Sequence, residues 1–297
     1  MEKAGLVKKQ SGSSMAEAVK VLEIYLGEKI GGIVAAELGA FNSPAPLVSG
    51  ARLGIPVVDG DYAGRAIPDE MQTTPFLHGK HSWPFVSVDE WGNTTIVKYT
   101  LNPYMGERIG KMLAVAAFGA TEIAANPYPA NEMKDVLVRG TLTKSFELGQ
   151  AMRQARESGE DPIEAAIAQT GGWRLFEGIV TRKEWEDRDG YMFGTIHLSG
   201  TGDYEGQTLD VWFKNENHVT WLNGKPWICS PDLVTLAYKE NGLGTTNTLI
   251  DEGDEIVAVG IKGLESFRTE FGLNQAAGPR YFGFDIDYVP IEEIMAG

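Results

Sequence analysis

A change of sequence pattern at Gly171-Gly172 constrains the fold of this chain more than any other feature. Before this glycine pair, stretches with the apolar spacing of helices alternate with short apolar runs. After it, the helical spacing disappears, and short alternating stretches follow that are separated by turns rich in Gly and Asp. The change predicts an α/β domain over residues 1–171 and a mainly β domain over residues 172–297.

The first domain is predicted to contain a mostly parallel sheet. The order strand, helix, strand is indicated for residues 33–37, 43–53 and 55–59. Short links between these elements favour a parallel pair of strands. Because parallel strands end at the same edge of a sheet, we expect Glu37, Asn42 and Asp59 to lie together there.

Two hairpins are predicted from their turns. Residues 83–101 contain Trp91-Gly92-Asn93 between two apolar runs, which indicates a turn at those three residues. Residues 219–227 contain Asn223-Gly224, a pair that favours the type I′ turn of tight hairpins. The second hairpin supports the mainly β prediction for the second half.

Composition limits the classes of function. The chain has 297 residues with a net charge of −15, and this acidity argues against a nucleic-acid partner. No apolar stretch approaches the roughly 20 residues of a membrane span, and the first residues lack a signal core. The single cysteine, Cys229, excludes an internal disulfide and fits a reducing compartment. We therefore expect a cytoplasmic protein without membrane contact.

The segment from Ile55 to Pro68 carries the clearest candidate site. A short apolar strand leads to Asp59, Asp61 and Arg65, which are interrupted by glycines. Paired carboxylates can hold a divalent metal or divide the roles of acid and base. The guanidinium group can orient a planar amide-like ring. The alternative is structural, with solvated aspartates and a salt bridge at the end of a strand.

Two further features concern metals and cofactors. His78 and His81 are three residues apart and could join Asp59 and Asp61 as metal ligands, or lie in a solvated loop. No Gly-x-Gly-x-x-Gly element follows a strand, so a nucleotide cofactor is not expected. A divalent metal is the one cofactor left open. Cys229 has no adjacent histidine and is predicted to be a buried structural residue.

Several motifs in order resemble one known family, that of S-methyl thiohydantoin desulfurase-like proteins. The stretch Ala36-Glu-Leu-Gly-Ala-Phe-Asn42 resembles its Glu-hydrophobic-Gly-Gly-x-Asn element, with Ala40 in place of the second glycine. Residues 54–68 fit its Gly-x-Pro-x-x-Asp-x-Asp-x-x-Gly-Arg-Ala-x-Pro element at every defined position. In the second half the resemblance rests on Asn215-Glu-Asn217, Pro231-Asp-Leu233 and Gly278-Pro-Arg-Tyr-Phe-Gly283.

The resemblance implies hydrolysis of a thiohydantoin- or hydantoin-like cyclic amide, with release of methanethiol from S-methyl thiohydantoin. Asp59 or Asp61 would position or deprotonate water, directly or through a metal. Glu37 would orient the arginine or act as acid to the leaving thiolate. The remaining candidates would bind the ring, since Asn and Glu side chains supply hydrogen-bond donors and acceptors. The alternative is that these residues only form turns. These substrate-binding candidates are Asn42, Arg65, Asn215, Glu216, Asn217 and Asp232.

Two other functions remain open at this point. The chain could be a noncatalytic ligand-binding or assembly partner of a hydantoinase/oxoprolinase-type enzyme, or a metal-dependent cyclic amidase. The role of a noncatalytic partner is favoured by the sequence of residues 1–12. Members of the family usually begin with a strand and a glycine-rich turn, which these residues do not contain. We expect this chain to lack that segment. The expected partners are a small cyclic amide and further copies of the same chain.

Overall fold

The computed structural model describes Leu6 and residues 13–297, and the chain divides into two units, Met1–Leu142 and Thr143–Gly297. Our prediction about the family's first segment falls on residues 1–12, which apart from Leu6 lie outside the described residues. Every helix among the described residues is too short or too polar to cross a lipid bilayer.

The described part of the first unit contains short helices and two small sheets. Its helices are α1 (Ser13–Leu26), α2 (Pro44–Leu53), α3 (Thr74–Leu77), α4 (Pro103–Ala116) and α5 (Ala130–Val136), with a 3-10 turn at Glu70–Gln72. Its strands are β1 (Gly60–Asp61), β2 (Phe85–Asp89), β3 (Thr94–Val97), β4 (Thr121–Ala124) and β5 (Val138–Arg139). Strands β3, β2 and β4 form one antiparallel sheet, and β1 and β5 pair as another.

The core of the first unit lies between α1 and the β3-β2-β4 sheet. Ala18, Val19 and Leu22 occur at helical spacing on one face of α1 and are buried against Val86 and Val88 of the central strand. Helix α1 covers one face of the sheet, and because all five residues of β2 are buried, the other face of the central strand is covered as well.

The predicted fold class was wrong for the first domain, because the described residues contain no mostly parallel sheet. The two predicted strands meet only at an isolated parallel bridge between Ile33 and Val57. The Ile33 N–H donates to the Pro56 carbonyl at 3.0 Å, and the Val58 N–H donates to the Ile33 carbonyl at 2.8 Å. Proline has no N–H with which to extend such a ladder. The apolar side chains of Ile33 and Ile55 pack instead against the α1 core.

The local turn predictions for this unit are confirmed. Helix α2 runs from Pro44 to Leu53, close to the predicted 43–53, and Gly54 after it has a φ of 68°, the left-handed conformation common after helices. Strands β2 and β3 form the predicted hairpin, and the Gly92 N–H donates to the Asp89 carbonyl at 3.1 Å in its turn.

The second unit is built on one antiparallel sheet of seven strands. The order is β10-β9-β8-β7-β6-β12-β11, and every pair is antiparallel. The strands are β6 (Trp173–Arg188), β7 (Tyr191–Gly200), β8 (Thr208–Lys214), β9 (Glu216–Leu222), β10 (Lys225–Cys229), β11 (Leu233–Tyr238) and β12 (Glu255–Ile261). Helix α6 (Thr141–Ser158) begins just before the unit boundary, and α7 (Pro162–Thr170), α8 (Glu270–Gly272) and α9 (Ile291–Ala296) follow.

Alternating residues of this sheet form the core of the second unit. Ile196 and Leu198 of β7 and Leu209, Val211 and Phe213 of β8 are all buried in one cluster. This period of two was visible in the sequence. The predicted turn at Asn223-Gly224 is also confirmed, since both residues have positive φ, as a type I′ turn requires.

Candidate functional site

A cavity of about 970 Å³ lies within the first unit. Apolar side chains from α1 and from the segment after it, among them Leu22 and Ile33, line part of it. The polar side chains that matter for chemistry are Glu37, Asn42, Glu70, Ser82, Glu107 and Tyr128. An apolar cavity with a few converging polar groups is the usual form of a small-molecule site.

Glu70 is the most perturbed acid of this cavity. Its Oε2 accepts a hydrogen bond from the Ser82 hydroxyl at 2.8 Å, and its Oε1 accepts one from the Ser82 N–H at 3.2 Å. Burial raises the pKa of Glu70 to about 7, and the nearby Glu107 and Asp69 carboxylates add to the rise, against the lowering effect of the Ser82 bonds. A carboxyl group with this pKa can take up and release a proton near neutral pH.

Helix α4 fixes the backbone of Glu70. The Glu70 N–H donates to Glu107 Oε2 at 3.0 Å, and Lys111 Nζ lies 3.6 Å from Glu107 Oε1 one helical turn later. A Cβ at Gly106 would lie 3.2 Å from Thr100 Oγ1 and 3.5 Å from Glu70 Oε2. The glycine therefore relieves a tight contact with the Thr100 hydroxyl, whereas a Cβ would meet the Glu70 carboxylate only at ordinary contact distance.

Glu37 and Asn42 form the second polar group of the cavity. The Asn42 side-chain amide donates to Glu37 Oε1, and the Ile67 N–H donates to Glu37 Oε2. The Leu38 N–H also donates to the Arg65 carbonyl at 3.2 Å, which joins this loop to the segment after β1. Two residues predicted from the sequence are thus hydrogen-bonded to each other and line the same cavity as Glu70.

Two tyrosines form a wall beside Glu70. The rings of Tyr62 and Tyr128 meet edge to face with centroids 6.4 Å apart. The Tyr128 hydroxyl donates to the His81 carbonyl at 2.9 Å, and burial raises the pKa of both phenols, so they stay protonated at neutral pH. Their rings give the site a rigid apolar side.

In the described part of the chain, Asp59, Asp61 and Arg65 do not line the cavity, although Tyr62 of the same segment does. Asp61 is fully buried, and its Oδ2 accepts from the N–H groups of Ala63 and Gly64 at 3.0 and 2.7 Å. The pKa of Asp61 is raised above its ordinary value, because the effect of burial exceeds the lowering effect of these hydrogen bonds. Asp59 is exposed and its carbonyl accepts from Gly140, whereas Arg65 Nε donates to the Ala66 carbonyl at 3.1 Å. This geometry makes the segment a tight turn held by Asp61.

The two predicted histidine ligands are engaged separately. His78 Nδ1 lies 2.9 Å from the Thr74 carbonyl, and the His81 ring meets Trp83 edge to face with centroids 4.0 Å apart. Over Leu6 and residues 13–297, no three His, Cys, Asp or Glu side chains are grouped so that they could hold a metal ion.

The predicted binding residues of the second half belong to the second unit. Asn215 has a φ of 55°, and its Oδ1 accepts from the Met192 N–H at 2.9 Å. Asn217 donates to the Val234 carbonyl at 2.9 Å and accepts from Asn247 at 3.0 Å. Glu216 is the first residue of β9 and is partly buried. These contacts hold the β8–β9 turn against neighbouring strands.

Asp232 is buried in a dense network of donors. Its Oδ1 accepts from the Gly263 N–H at 2.7 Å and from Arg268. Its Oδ2 accepts from the Tyr288 hydroxyl at 2.8 Å and from the Ile291 N–H at 2.9 Å. The carboxylate therefore holds the start of α9 to the start of β11. The nearby Cys229 is buried as expected, and burial raises the pKa of its thiol to about 11.

Sequence reasoning missed the residues around Glu70. Asp69 and Glu70 directly follow Pro68, where the recognised motif ends, and two successive acids before a buried stretch are the one local signal. Ser82 and Glu107 are 12 and 37 residues away in sequence from Glu70. These residues contact Glu70 only because of how α4 packs in the folded protein, so no periodic sequence pattern predicts the contacts.

Comparisons with known proteins place these units in one family. Residues 3–99 match the family model described as S-Me-THD-like, N-terminal domain, and residues 102–291 match the S-Me-THD-like, C-terminal domain. No curated protein matches the chain. A crystal structure of a protein from Chromobacterium violaceum is similar with a TM-score of 0.78 at 20% identity, covering 95% of this chain and 80% of the other, which shows a shared fold. Since both domain models match in order, this chain belongs to the S-methyl thiohydantoin desulfurase-like family.

Proposed function

We propose that this protein is a hydrolase of thiohydantoin- or hydantoin-like cyclic amides that releases methanethiol from S-methyl thiohydantoin. The family name supplies the class of substrate. One observation carries the assignment of the site, namely that Glu70, with a pKa of about 7, lines the same cavity as the hydrogen-bonded pair Glu37 and Asn42.

Glu70 is the general base of the proposed reaction. Its carboxylate takes a proton from a water molecule as the water oxygen bonds to C2 of the ring and the electron pair of the C2=N double bond moves onto the ring nitrogen. The C2–S bond then breaks, and the proton passes from Glu70 to the leaving sulfur. Water and S-methyl thiohydantoin thus give hydantoin and methanethiol, with no oxidant or reductant. Ser82 holds the Glu70 carboxylate in place through two hydrogen bonds.

Glu37 and Asn42 orient the ring. A hydantoin-like ring presents N–H donors and carbonyl acceptors on one edge, and a carboxylate beside an amide can match both. Their mutual hydrogen bond and the Ile67 N–H fix the two side chains before substrate enters. Such preorganisation lowers the cost of binding. The apolar wall formed by Tyr62 and Tyr128 covers the face of the ring.

A thiol-release assay on S-methyl thiohydantoin tests the proposal. Replacing Glu70 by Gln keeps the size of the side chain but removes the base, so turnover should fall by about 100-fold or more. Glu147→Gln, the same change at an exposed position on α6, should leave the rate unchanged. Equal rates for Glu70→Gln and the unmodified protein, or no thiol release from the unmodified protein, would contradict the proposal.

The roles of Asp59, Asp61 and Arg65 in catalysis stay predictions from the sequence. Asp59→Asn in the same assay tests the first of them, because Asp59 is exposed and its replacement should leave the melting temperature within a few degrees. If Asp59→Asn loses turnover while Glu70→Gln keeps full activity, the general base of the reaction is Asp59 and not Glu70.

A further inference from the structure

Helix α4 is scarcely buried within a single chain. Of the 14 residues of this described helix, only Gly106 is buried. A helix of this length is marginal in water by itself, and most helices of folded proteins are stabilised by packing an apolar face against other elements. Helix α4 has such a face, but that face is exposed.

The exposed side of α4 is an apolar stripe. Positions 105, 108, 112 and 115 follow one another at spacings of three and four, which places them on one side of a helix. Arg108 is the one charged residue among the exposed positions of this described helix. Leu101 and Phe118 lie just beyond its two ends and are 76% and 64% exposed. We call this surface the outer face of α4, and its large apolar members are Leu101, Tyr104, Met105, Met112, Val115 and Phe118.

The opposite side of α4 lines the cavity. It presents Gly106, Glu107, Gly110 and Lys111 there, and Glu107 Oε2 accepts a hydrogen bond from the Glu70 N–H at 3.0 Å. The helix thus turns glycines and charged groups inward and large apolar side chains outward, which reverses the usual pattern of a surface helix. Such a reversal is expected where a further protein surface covers the outer side.

The size of the outer face of α4 fits a protein contact. Its six large apolar side chains, with on the order of 100 Å² exposed on each, form a patch of about 600 Å². This is the upper limit of the roughly 300–600 Å² that a typical monomer leaves open. It also approaches the roughly 800 Å² that each partner contributes to a stable interface.

Charge identifies the partner as a second copy of this chain. The chain carries 41 acidic residues and a net charge of −15, yet residues 101–118 contain a single acid, Glu107, which lines the cavity. Two acidic copies can approach each other at such a surface, whereas a basic partner would select an acidic one. A helix that binds lipid carries a row of Lys and Arg beside its apolar face, which Arg108 and the inward Lys111 do not supply. Apolar contacts of this kind are typical of homodimers.

We propose that two copies of this chain pair through the outer face of α4, with the two helices antiparallel about a two-fold axis. In this register Met105 of one copy lies opposite Val115 of the second, and Arg108 lies opposite Met112. A parallel pair would place the two Arg108 side chains against each other, and like charges disfavour this. The spacing of three and four residues is that of helix pairs which cross at about 20°. Because the other side of α4 holds Glu70, the pairing also supports the cavity.

Sedimentation analysis of the whole chain tests the pairing. The unmodified protein should be dimeric at about 50 μM. Val115→Asp places a carboxylate in the apolar contact twice per dimer and should weaken dimerisation by at least about 100-fold. Ile24→Asp is the matched control, because Ile24 is 78% exposed on α1, and this variant should dimerise like the unmodified protein. A monomeric unmodified protein, or equal dimerisation of the two variants, overturns the proposal.

Cysteine cross-linking tests the antiparallel register and does not depend on whether Val115→Asp folds. Positions 105 and 115 of one helix are about 15 Å apart, which is too far for a disulfide within a chain. Under mild oxidation Met105→Cys/Val115→Cys should therefore form a covalent dimer, and Met105→Cys alone should not. The native Cys229 is buried and serves as the background in both variants. Absence of the covalent dimer from the double variant overturns the proposal. Neither experiment uses turnover, so failure of the proposed function leaves both results intact.

Discussion

Glu70 combines a high proton affinity with a fixed position, and most of the residues that cause them are distant in sequence. Burial disfavours its ionised form, and the carboxylates of Glu107 and Asp69 add to this effect. Ser82 opposes the shift by donating two hydrogen bonds, which keeps the pKa near 7. A base with a pKa close to the working pH is the most effective at moving protons.

The pH dependence of thiol release should report Glu70. As a base it acts only when ionised, so kcat/KM should rise with pH and reach half its maximum near pH 7. Measurement of kcat/KM from pH 5 to 9 tests this. A rate that is already maximal at pH 5 would show that a carboxyl group of ordinary pKa is the base instead.

Ser82→Ala should move that midpoint. The variant removes the hydroxyl that donates to Glu70 Oε2 at 2.8 Å and lowers the pKa of Glu70. The midpoint should therefore shift to higher pH, by about one unit for the loss of one bond to a charged group. A merely structural role for Ser82 would change the amplitude of the profile and leave its midpoint in place.

At the scale of secondary-structure elements, the residues around the cavity are positioned by the turn after β1 and by the first turns of helix α4. The turn after β1 is closed by Asp61, and Gly60 permits β1 to approach β5, since a Cβ there would lie 2.7 Å from the Val138 carbonyl. Helix α4 presents Gly106 and Glu107 to Glu70. Carboxylates and glycines in such turns therefore have structural roles beside any chemical one.

Asp232 should be a main stabilising residue of the second unit. It is fully buried and accepts four hydrogen bonds, one of them from Arg268, whose side chain is 8% exposed. Asp232→Ala should lower the free energy of unfolding by roughly 3–5 kcal/mol, because it leaves buried donors without their acceptor. Urea unfolding measures this loss.

The matched control is Asp287→Ala. Asp287 pairs with Arg280 at 2.7 Å, but its side chain is 86% exposed. Its loss should therefore change the unfolding free energy by less than about 1 kcal/mol. If both variants lose equally little stability, the buried network around Asp232 contributes far less than its geometry indicates.

At the scale of the whole molecule, Glu70 should make stability depend on pH. Its pKa is about 7 in the folded state and 4.5 in its ordinary state, so between these values the folded protein binds more protons. The contribution of Glu70 to stability is thus fully present below pH 4.5 and is lost as pH rises to about 7, by roughly 2–3 kcal/mol.

The difference between the unmodified protein and Glu70→Gln isolates this effect. The other acids contribute equally to the unfolding free energies of both proteins, so their contributions cancel in the difference. Only the unmodified protein has a carboxyl group at position 70 that titrates. The unmodified protein should lose stability relative to the variant between pH 4.5 and 7, as measured by urea unfolding at several pH values. A constant difference would mean that Glu70 has an ordinary pKa.

The sequence by itself determined the local elements and the family. Helix α2, the turn at Asn223-Gly224 and the alternating core of the seven-stranded sheet follow from propensity and spacing over a few residues. The motifs in residues 36–68 pointed to the family, and Glu37 and Asn42 were chosen as positions of one such motif that follows a predicted strand.

Only the tertiary structure decided which strands pair and which acid faces the cavity. The run from Ile33 and the run from Ile55 have the apolar content of strands, yet they pack on the α1 core and share a single bridge, and Pro56 has no N–H with which to extend it. The pKa of Glu70 depends on burial and on Ser82 and Glu107, which are distant in sequence. Desolvation and charge act through space, so a sequence pattern does not carry them.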